Sequence, residues 1–486
     1  MKRFFLLLAC WLACCGSHAQ QPVLALAPDA ITVLPANDAM LATGLRPTPH
    51  QDLNRDPKVF AIQGWTKPNQ TFTWQVKVGE KGAYRVAILV EIKGLAANSP
   101  VTLQLSAAGR KISLQSHNRP WDKLFFPAPI LLDKGINQLQ LHLAGIGDGD
   151  QPELSVYSLE LATAATWKQK ATAAEKLRSK PEWLRQADYG LFFHWNARSK
   201  PRTGPAKSYG DAVQDFDVNR FAAMVKQTGA GFIVLTTSWD LSTFPAPLKS
   251  VDRILPGNTT PRDLIADLAA ALSRKNIKLV VYCNFRINRM GWERGDQFLP
   301  GKADSVFNRL TSIYAEIGQR YANKIGGLWI DDGMALYPYH APFEALAQVI
   351  KQHDKQLVVG YNSWIYPRFT DFQDFYGGEQ GITLEAAGIN NKHLPVGGSG
   401  YFVSGPQQGL KATFCGLLEP GDWTHTELNE AIPPPLLKPD ALISIIQEAM
   451  RRKNTAIMNV QVYQDGSISP ETFALLKQLN QAVHNK

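Results

Sequence analysis

The sequence predicts an α/β fold, a (β/α)8 barrel of the TIM type preceded by an all-β sandwich domain. Residues 22–160 alternate apolar and polar side chains with a period of two, as strands with one buried face do. From Tyr189 onward, short apolar runs alternate with amphipathic helical stretches, which is typical of a parallel sheet covered by helices. No glycine-rich phosphate-binding fingerprint follows these runs, so a barrel is favoured over an open dinucleotide-binding sheet.

Residues 1–19, MKRFFLLLACWLACCGSHA, predict a secretory signal peptide cleaved after Ala19. The segment has a basic start, an apolar run and an ending of small residues. A lipid anchor on Cys15 is the alternative, although Cys14 is a poor fit for the small residue that such a site needs. No later run is long and apolar enough to span a membrane. We therefore expect export to the periplasm or the outside of the cell.

Residues 20–162 are predicted to form the sandwich. Runs such as TFTWQVKV and ELSVYSLEL alternate, and VTLQLSAAGRKISLQ reads as a hairpin around Gly109. The stretches EKGAYRV and LLDKGINQLQLHL resemble sandwich-type carbohydrate-binding modules, which implies glycan binding. Trp65, Trp74 and Trp121 could then form a sugar-stacking platform, but aromatic residues in sandwiches more often belong to the core.

Residues 163–187 are polar and helix-prone, and they predict a helical connector to a barrel over residues 188–486. The expected barrel strands are GLFFHW, GFIVLTTS, IKLVVYCNF, GGLWID, QLVVGYNSW and NTAIMNVQV, separated by helices such as PRDLIADLAAALSRKN. A stretch without clear periodicity lies between the fifth of these strands and the next helix. Cys283 and Cys415 are expected to be free and buried, with a disulfide as the alternative.

The bulk composition excludes few partners. The 486 residues are 45% hydrophobic and 19% charged, with a formal net charge of +9 and no dense Lys/Arg run. A nucleic-acid groove is therefore disfavoured. Acidic polysaccharide is a conceivable partner, but scattered positive charge more often marks a solvated surface. The oligomeric state cannot be read from the sequence.

Polar residues follow the predicted barrel strands, where the active sites of such barrels lie. They are His194, Trp239, Asp240, Asn284, Arg286, Asp331, Asp332, Asn362 and Trp364, with Arg368, Asp374 and Glu379 in the later segment RFTDFQDFYGGEQ. Aromatic side chains beside carboxylates and amides, without a cluster spaced for metal ligation, describe a sugar pocket. In such a pocket two carboxylates perform the hydrolysis.

Six segments resemble glycoside hydrolase family 29, the retaining α-L-fucosidases, and occur in that family's order. They are YGLFFHWN, FAAMVKQTGAGFIVLTT, PRDLIADLAAALSRKNIKLVVY, GGLWIDDG, DFYGGEQ and IMNVQVYQDGSISPE, which cover roughly residues 180–486. The resemblance implies a secreted retaining exo-glycosidase that removes a terminal sugar from an oligo- or polysaccharide. The pocket residues themselves, which are carboxylates, aromatic rings and amides with only isolated histidines, predict no cofactor and no metal.

The resemblance also implies site residues. Asp331 would be the nucleophile, because it follows the L-W-aliphatic strand and shares a face with Trp329; Asp332 would then point away. Glu379 of DFYGGE would be the general acid/base. The resemblance also implies that His194, Tyr282, Trp329 and Arg368 bind substrate, and the strand-end positions add Trp239, Asp240 and Asn284 to the predicted substrate-binding residues. Without the resemblance, an Asp at a strand end can simply cap a loop, and a loop glutamate is usually just solvated.

Two departures from the family bear on the sugar. Where the family's second strand continues with paired histidines, this chain reads TTSWDLSTF, and KSYGD stands in place of a Glu-Trp-Tyr segment. The alternatives are therefore a retaining glycosidase for a different deoxy- or L-sugar, or an inactive carbohydrate-binding protein.

Overall fold

The computed structural model describes residues 22–48, 60–147, 149–239, 241–285, 302–331, 333–379, 381–383 and 392–484. The predicted signal peptide and the residues Asp240, Arg286 and Asp332 lie outside these ranges. Across the described ranges, no helix combines the length and the apolar character that a membrane crossing requires.

The strands that precede the barrel form two sheets. In chain order they are β1 (Val23–Ala25), β2 (Thr32–Pro35), β3 (Met40–Leu41), β4 (Arg46–Pro47), β5 (Ile62–Trp65), β6 (Thr71–Val78), β7 (Gly82–Lys93), β8 (Val101–Ala107), β9 (Arg110–Ser116), β10 (Arg119–Phe125), β11 (Ile130–Leu132), β12 (Gly135–Gly145) and β13 (Glu153–Thr163). One sheet contains β1, β3, β6, β8, β9 and β12, and the second contains the others. The alternating apolar side chains of both sheets meet in one buried cluster, as the period of two predicts.

Details of the sandwich test two expectations. Ala108 and Gly109 have φ values of 48° and 79° in the turn between β8 and β9, so the predicted hairpin is confirmed as a primed turn. Trp65 and Trp74 are fully buried in the core, so the stacking platform is wrong for these two rings. Trp121 on β10 is only partly buried and packs edge-on against Tyr366 of the barrel, with ring centroids 4.8 Å apart.

Eight parallel strands form the barrel, which confirms the predicted fold class. They are β14 (Tyr189–Phe193), β15 (Phe232–Ser238), β16 (Lys278–Cys283), β17 (Gly327–Ile330), β18 (Val358–Trp364), β19 (Gly377–Gly378), β20 (Thr413–Leu417) and β21 (Thr455–Asn459). β14 pairs with both β15 and β21, and a parallel bridge between Glu379 and Cys415 joins β19 to β20. The sheet therefore closes on itself.

Helices connect the parts of the chain and cover the barrel. They are α1 (Ala164–Leu177), α2 (Glu182–Gln186), α3 (Tyr209–Asp215), α4 (Val218–Gln227), α5 (Lys249–Ile254), α6 (Leu264–Ser273), α7 (Lys302–Tyr321), α8 (Gly333–Leu336), α9 (Phe343–Lys351), α10 (Pro439–Arg451) and α11 (Pro470–His484). Side-chain caps fix several helix starts: Asp217 accepts from two backbone N–H groups of α4, and Asp263 accepts from one of α6.

The barrel interior is filled by every second residue of each strand. On β17, Leu328 and Ile330 belong to the cluster between strands and helices, whereas Trp329 belongs to the interior cluster. At the amino-terminal end of the barrel, the ring of Trp183 of α2 packs edge-on against Phe232, with ring centroids 5.6 Å apart. The amino-terminal end of the barrel is thus filled with aromatic rings, and polar groups collect at the other end.

The sandwich packs directly on the barrel. Tyr157 of β13 lies against Tyr366 and stacks on Tyr337, with ring centroids 4.3 Å and 5.8 Å away. The Tyr337 hydroxyl donates to Glu160 at 2.6 Å, and Lys123 pairs with the same carboxylate at 2.6 Å. Because the barrel's core cluster includes Tyr157, the two parts share one core across their boundary.

Removal of the sandwich should therefore prevent the barrel from folding as a soluble monomer. A fragment of residues 180–486 would expose the rings of Tyr337 and Tyr366, which are otherwise buried. We expect aggregation in size-exclusion chromatography and no cooperative thermal transition. A monomeric fragment with a sharp melt would contradict this expectation and would make the sandwich an independent appendage.

The buried Glu419, which follows β20, should make stability depend on pH. Its carboxyl group accepts from the Thr472 hydroxyl at 2.6 Å and from the Gln461 N–H at 3.1 Å, and burial raises its pKa to about 7. Because the folded pKa lies above the unfolded one, the native state holds the extra proton. This stabilisation is complete at pH 4 and is lost as the pH rises through 7.

Glu419→Gln should remove that pH dependence. The amide oxygen can accept from the Gln461 N–H, the amide NH2 can face the Thr472 hydroxyl oxygen, and no charge is buried at any pH. We expect the variant to gain on the order of 2–3 kcal/mol relative to the wild type between pH 5 and pH 8, measured by denaturant unfolding. Glu471→Gln, at an exposed position of α11, is the matched control and should show no such gain. Parallel pH profiles for Glu419→Gln and the wild type would contradict the expectation.

Candidate active site

The carboxyl ends of the barrel strands bring polar side chains together at one end of the interior. Each continues the inward-facing set of its strand, since residues two apart point the same way. The residues are His194 after β14, Asn284 after β16, Asp331 after β17, Asn362 on β18, Glu379 after β19 and Asn459 at the end of β21. Asp331 and Glu379 are half-buried, so each is held by the protein and still reaches solvent.

Asp331 is held by three hydrogen-bond donors. The Tyr282 hydroxyl donates to Oδ2 at 2.5 Å, and Nδ2 of Asn284 donates to the same oxygen at 3.0 Å. Nδ2 of Asn362 donates to Oδ1 at 2.6 Å. These donors come from the two strands that flank β17, so they fix the carboxylate from both sides. The prediction that Asp331 shares the inward face with Trp329 is confirmed.

Asn362 joins the two carboxylates. Its Nδ2 donates both to Asp331 and to Oε1 of Glu379. Its Oδ1 accepts from the backbone N–H of Trp364 at 2.8 Å, which orients the amide so that the nitrogen faces the acids. Two acceptors of one nitrogen lie at most about 6 Å apart, which is two hydrogen-bond lengths. This spacing suits a retaining pair of carboxyl groups, about 5–5.5 Å apart, better than an inverting pair.

Glu379 lies in the wall of the barrel rather than on a free loop. Its backbone N–H donates to the Trp364 carbonyl at 3.0 Å, and its bridge to Cys415 holds the other side. Cys415 lies in the barrel interior. The pKa of its thiol is raised well above its usual value, mainly by burial and further by the negative charges of Glu379 and Asp331. Cys283 and Cys415 are both free and buried, as predicted.

His194 is neutral and has a defined tautomer. Nδ2 of Asn459 donates to the Trp423 carbonyl at 3.1 Å, so Oδ1 of Asn459 faces Nδ1 of His194 at 2.7 Å. Since that oxygen can only accept, Nδ1 carries the proton and Nε2 is an acceptor. Burial lowers the pKa of His194 to about 3, so the ring stays uncharged at neutral pH.

Aromatic rings surround this cluster. Trp239 and Trp423 are partly exposed and each packs against His194, with ring centroids 6.1 Å and 5.1 Å away. The guanidinium of Arg198 lies 5.3 Å from the Trp239 ring. Partly exposed rings beside acceptors offer flat apolar faces and hydrogen bonds together, which is what a sugar ring requires.

The predicted substrate-binding residues have different environments. His194, Trp239 and Asn284 line the cluster, and Oδ1 of Asn284 is buried without a hydrogen-bond partner among the described residues. Tyr282 and Trp329 are almost fully buried, so they form the floor, where Tyr282 positions Asp331. Asp240 lies outside the described residues.

Two polar residues of the later segment make contacts outside the cluster. Arg368 donates to the Gln408 carbonyl at 2.7 Å and pairs with Asp371 at 2.8 Å, and none of its hydrogen bonds within the described ranges reaches the cluster. Asp374 forms a buried ion pair with Lys351 at 2.7 Å and caps the Val359 N–H, so it is a structural residue.

Asn459 and Trp423 were not named from the sequence, and Asn362 was named at a strand end without a specific role. Asn362 and Asn459 stand at strand ends, so the rule that located Asp331 also applies to them. Trp423 lies in the segment after β20, where no periodicity marks it. Within the described ranges, no three His, Cys, Asp or Glu side chains form a group able to hold a metal ion.

No protein-family model and no curated protein matches the chain. Among solved structures it is similar to α-L-fucosidase AlfC from Lactobacillus casei in complex with its α-L-fucose product, with 18% identity over 61% of this chain and 96% of that chain and a TM-score of 0.42. It is also similar to a GH29 α-L-fucosidase from Bacteroides thetaiotaomicron, with 15% identity, coverage of 63% and 74%, and a TM-score of 0.43. The chain is also similar to the Thermotoga maritima α-fucosidase, with 17% identity over 66% of this chain and 75% of that chain and a TM-score of 0.42. The barrel's own strand order carries the fold assignment.

Proposed function

We propose that this chain is an exported, retaining exo-glycosidase of the α-L-fucosidase type. The observation that carries the proposal is the pair of half-buried carboxylates, Asp331 and Glu379, bridged by the amide of Asn362. The resemblance in sequence order around GGLWIDDG and DFYGGEQ supports the same two residues. Terminal cleavage and export are carried over from that resemblance and from the signal-like start of the chain.

The proposed reaction has two steps. Asp331 attacks the anomeric carbon while Glu379 donates a proton to the leaving oxygen, so a carbon–carboxylate bond forms as the glycosidic bond breaks. Water then attacks the same carbon from the vacated side, Glu379 takes the proton, and Asp331 leaves. Two inversions give net retention. Tyr282, Asn284 and Asn362 hold Asp331 on its trajectory, which reduces the reorganisation that the attack requires.

Nε2 of the neutral His194 and Oδ1 of Asn284 are the proposed acceptors for sugar hydroxyls. Oδ1 of Asn284 is buried and has no donor among the described residues, and a buried acceptor without a donor is costly. A sugar that supplies both donors is therefore selected over one that lacks them. Trp239 and Trp423 supply the apolar faces.

A second candidate is a retaining glycosidase for another deoxy- or L-sugar. β15 ends at Ser238 and Trp239 follows it, at the positions where the resembling family carries paired histidines for fucose hydroxyls. The indole ring of Trp239 at this position favours a sugar that presents a less polar face there than fucose does.

Hydrolysis of a panel of aryl glycosides tests the proposal. We expect the enzyme to hydrolyse the aryl glycoside of one terminal sugar, with the α-L-fucoside as the first candidate. Proton NMR of the freshly released sugar should show the same anomeric configuration as the substrate. Dialysis against a chelator should leave the rate of hydrolysis unchanged. Amino-terminal sequencing of the exported protein should give Gln20 as its first residue. An inverted product would contradict the mechanism, and no turnover on any glycoside would leave a carbohydrate-binding barrel.

A further inference from the structure

A small cavity lies at the seam between the sandwich and the barrel, beside the strand ends. Its volume is about 180 Å³, and its lining comes from Thr48, β5, β7, β10 and β13 of the sandwich and from β18 and the residues that follow it in the barrel. The lining residues used in the argument are Glu91, Trp121, Glu153, Trp364 and Tyr366. Neither part of the protein forms this cavity alone.

Trp364 connects the cavity to the two carboxylates. Its backbone N–H donates to Oδ1 of Asn362 at 2.8 Å, and its carbonyl accepts from the Glu379 N–H at 3.0 Å. Its φ of 52° is unusual for a bulky residue, and such conformations cluster at functional sites. Trp364, which orients Asn362 and fixes the backbone of Glu379, therefore also lines the cavity.

The lining has the chemistry of a saccharide site. Trp121 and Trp364 both pack edge-on against Tyr366, with centroids 4.8 Å and 6.0 Å away, and both are partly exposed. Glu91, paired with Lys93 at 2.9 Å, and the exposed Glu153 supply charged groups for hydroxyls. Flat apolar rings beside carboxylates are suited to a pyranose ring and its hydroxyls.

We propose that this cavity is the leaving-group subsite, which binds the sugar on the reducing side of the cleaved bond. The inference rests on the proposed function. Glu379 donates the proton to the leaving oxygen, and its backbone N–H is bonded to the carbonyl of Trp364, which lines the cavity, so the proposal places the leaving sugar in this adjoining space. Specificity for the leaving sugar is then set by the sandwich, through Trp121 and Glu153.

Two substrates of the same terminal sugar test this assignment. The glycosyl fluoride has a one-atom leaving group that cannot fill the cavity, whereas a disaccharide must fill it. For Trp121→Leu, which keeps an apolar contact with Tyr366, we expect kcat/KM on the disaccharide to fall about tenfold and kcat/KM on the fluoride to change less than about twofold. Glu153→Gln, at an exposed position, should lower kcat/KM on the disaccharide about threefold and leave kcat/KM on the fluoride nearly unchanged.

Glu80→Gln is the matched control, because Glu80 is an exposed sandwich carboxylate outside the cavity lining, and it should change neither value. If Trp121→Leu and Glu153→Gln alter both substrates equally, or neither, the subsite is overturned while the proposed function stands. If the wild type hydrolyses neither substrate, the proposed function fails. Saturation-transfer NMR with the disaccharide then decides: transfer to its reducing sugar that disappears in Trp121→Leu supports a sugar site in the cavity, and absence of transfer in the wild type overturns it.

Discussion

Asp331→Gly is expected to lower turnover roughly 10³-fold or more, because no other group can then form the bond to the anomeric carbon. Added azide should restore product as a glycosyl azide of inverted configuration. The structure gives a reason for efficient rescue: removal of the carboxylate leaves the Tyr282 hydroxyl and the amides of Asn284 and Asn362 without their acceptor. These donors surround the vacated space and can hold a small anion there.

Product analysis by NMR and rates with and without azide measure this effect. Asp332→Gly is the matched control, since the sequence predicts that Asp332 points away from the site, and this variant should keep most of the activity. Rescue of Asp332→Gly instead of Asp331→Gly would contradict the assignment. An azide product of unchanged configuration would show that Asp331 acts in a different step.

The sequence predicts the barrel where its strands are long and apolar. β14 to β18 and β21 are visible as apolar runs, because every residue of an inner parallel strand is buried on one side or the other. β19 escapes detection, since Gly377 and Gly378 are two glycines with no side chains to form a pattern. β20, Thr413–Leu417, lies in a segment rich in glycine and proline, where a five-residue strand is hard to separate from loop.

The site is predictable as far as the strand-end rule reaches. Asp331, His194 and Asn284 follow visible strands, and their mutual approach results from barrel closure. Glu379 could be assigned only by resemblance, since its strand is invisible in the sequence. The bridging role of Asn362 depends on one amide orientation, which the Trp364 N–H fixes and no sequence pattern encodes. Trp329 lies on the predicted inward face and is almost fully buried, so alternation along a strand predicts the face of a residue and not its exposure.

Glu379→Ala should separate substrates by their leaving groups. A good leaving group needs no proton, so the first step should remain fast on a glycosyl fluoride. Deglycosylation, which needs a base to activate water, should become rate-limiting and give a burst of leaving group. A disaccharide requires protonation of its leaving oxygen, so its kcat/KM should fall by roughly 10²–10⁴-fold. Asp331 keeps all three of its donors in this variant, because Asn362 still donates to it.

Azide distinguishes the acid/base from the nucleophile. In Glu379→Ala it should accelerate the second step and give a glycosyl azide of retained configuration, because azide attacks the intermediate on Asp331 from the side that water uses. The matched control is Glu419→Gln, since Glu419 is the buried glutamate after the neighbouring strand β20 and its oxygens already bond to Gln461 and Thr472. Azide rescue in Glu419→Gln, with Glu379→Ala unaffected, would move the acid/base from β19 to β20. The bridge from Asn362 to Glu379 favours the opposite result, because one amide can set the spacing of only the two acids that it touches.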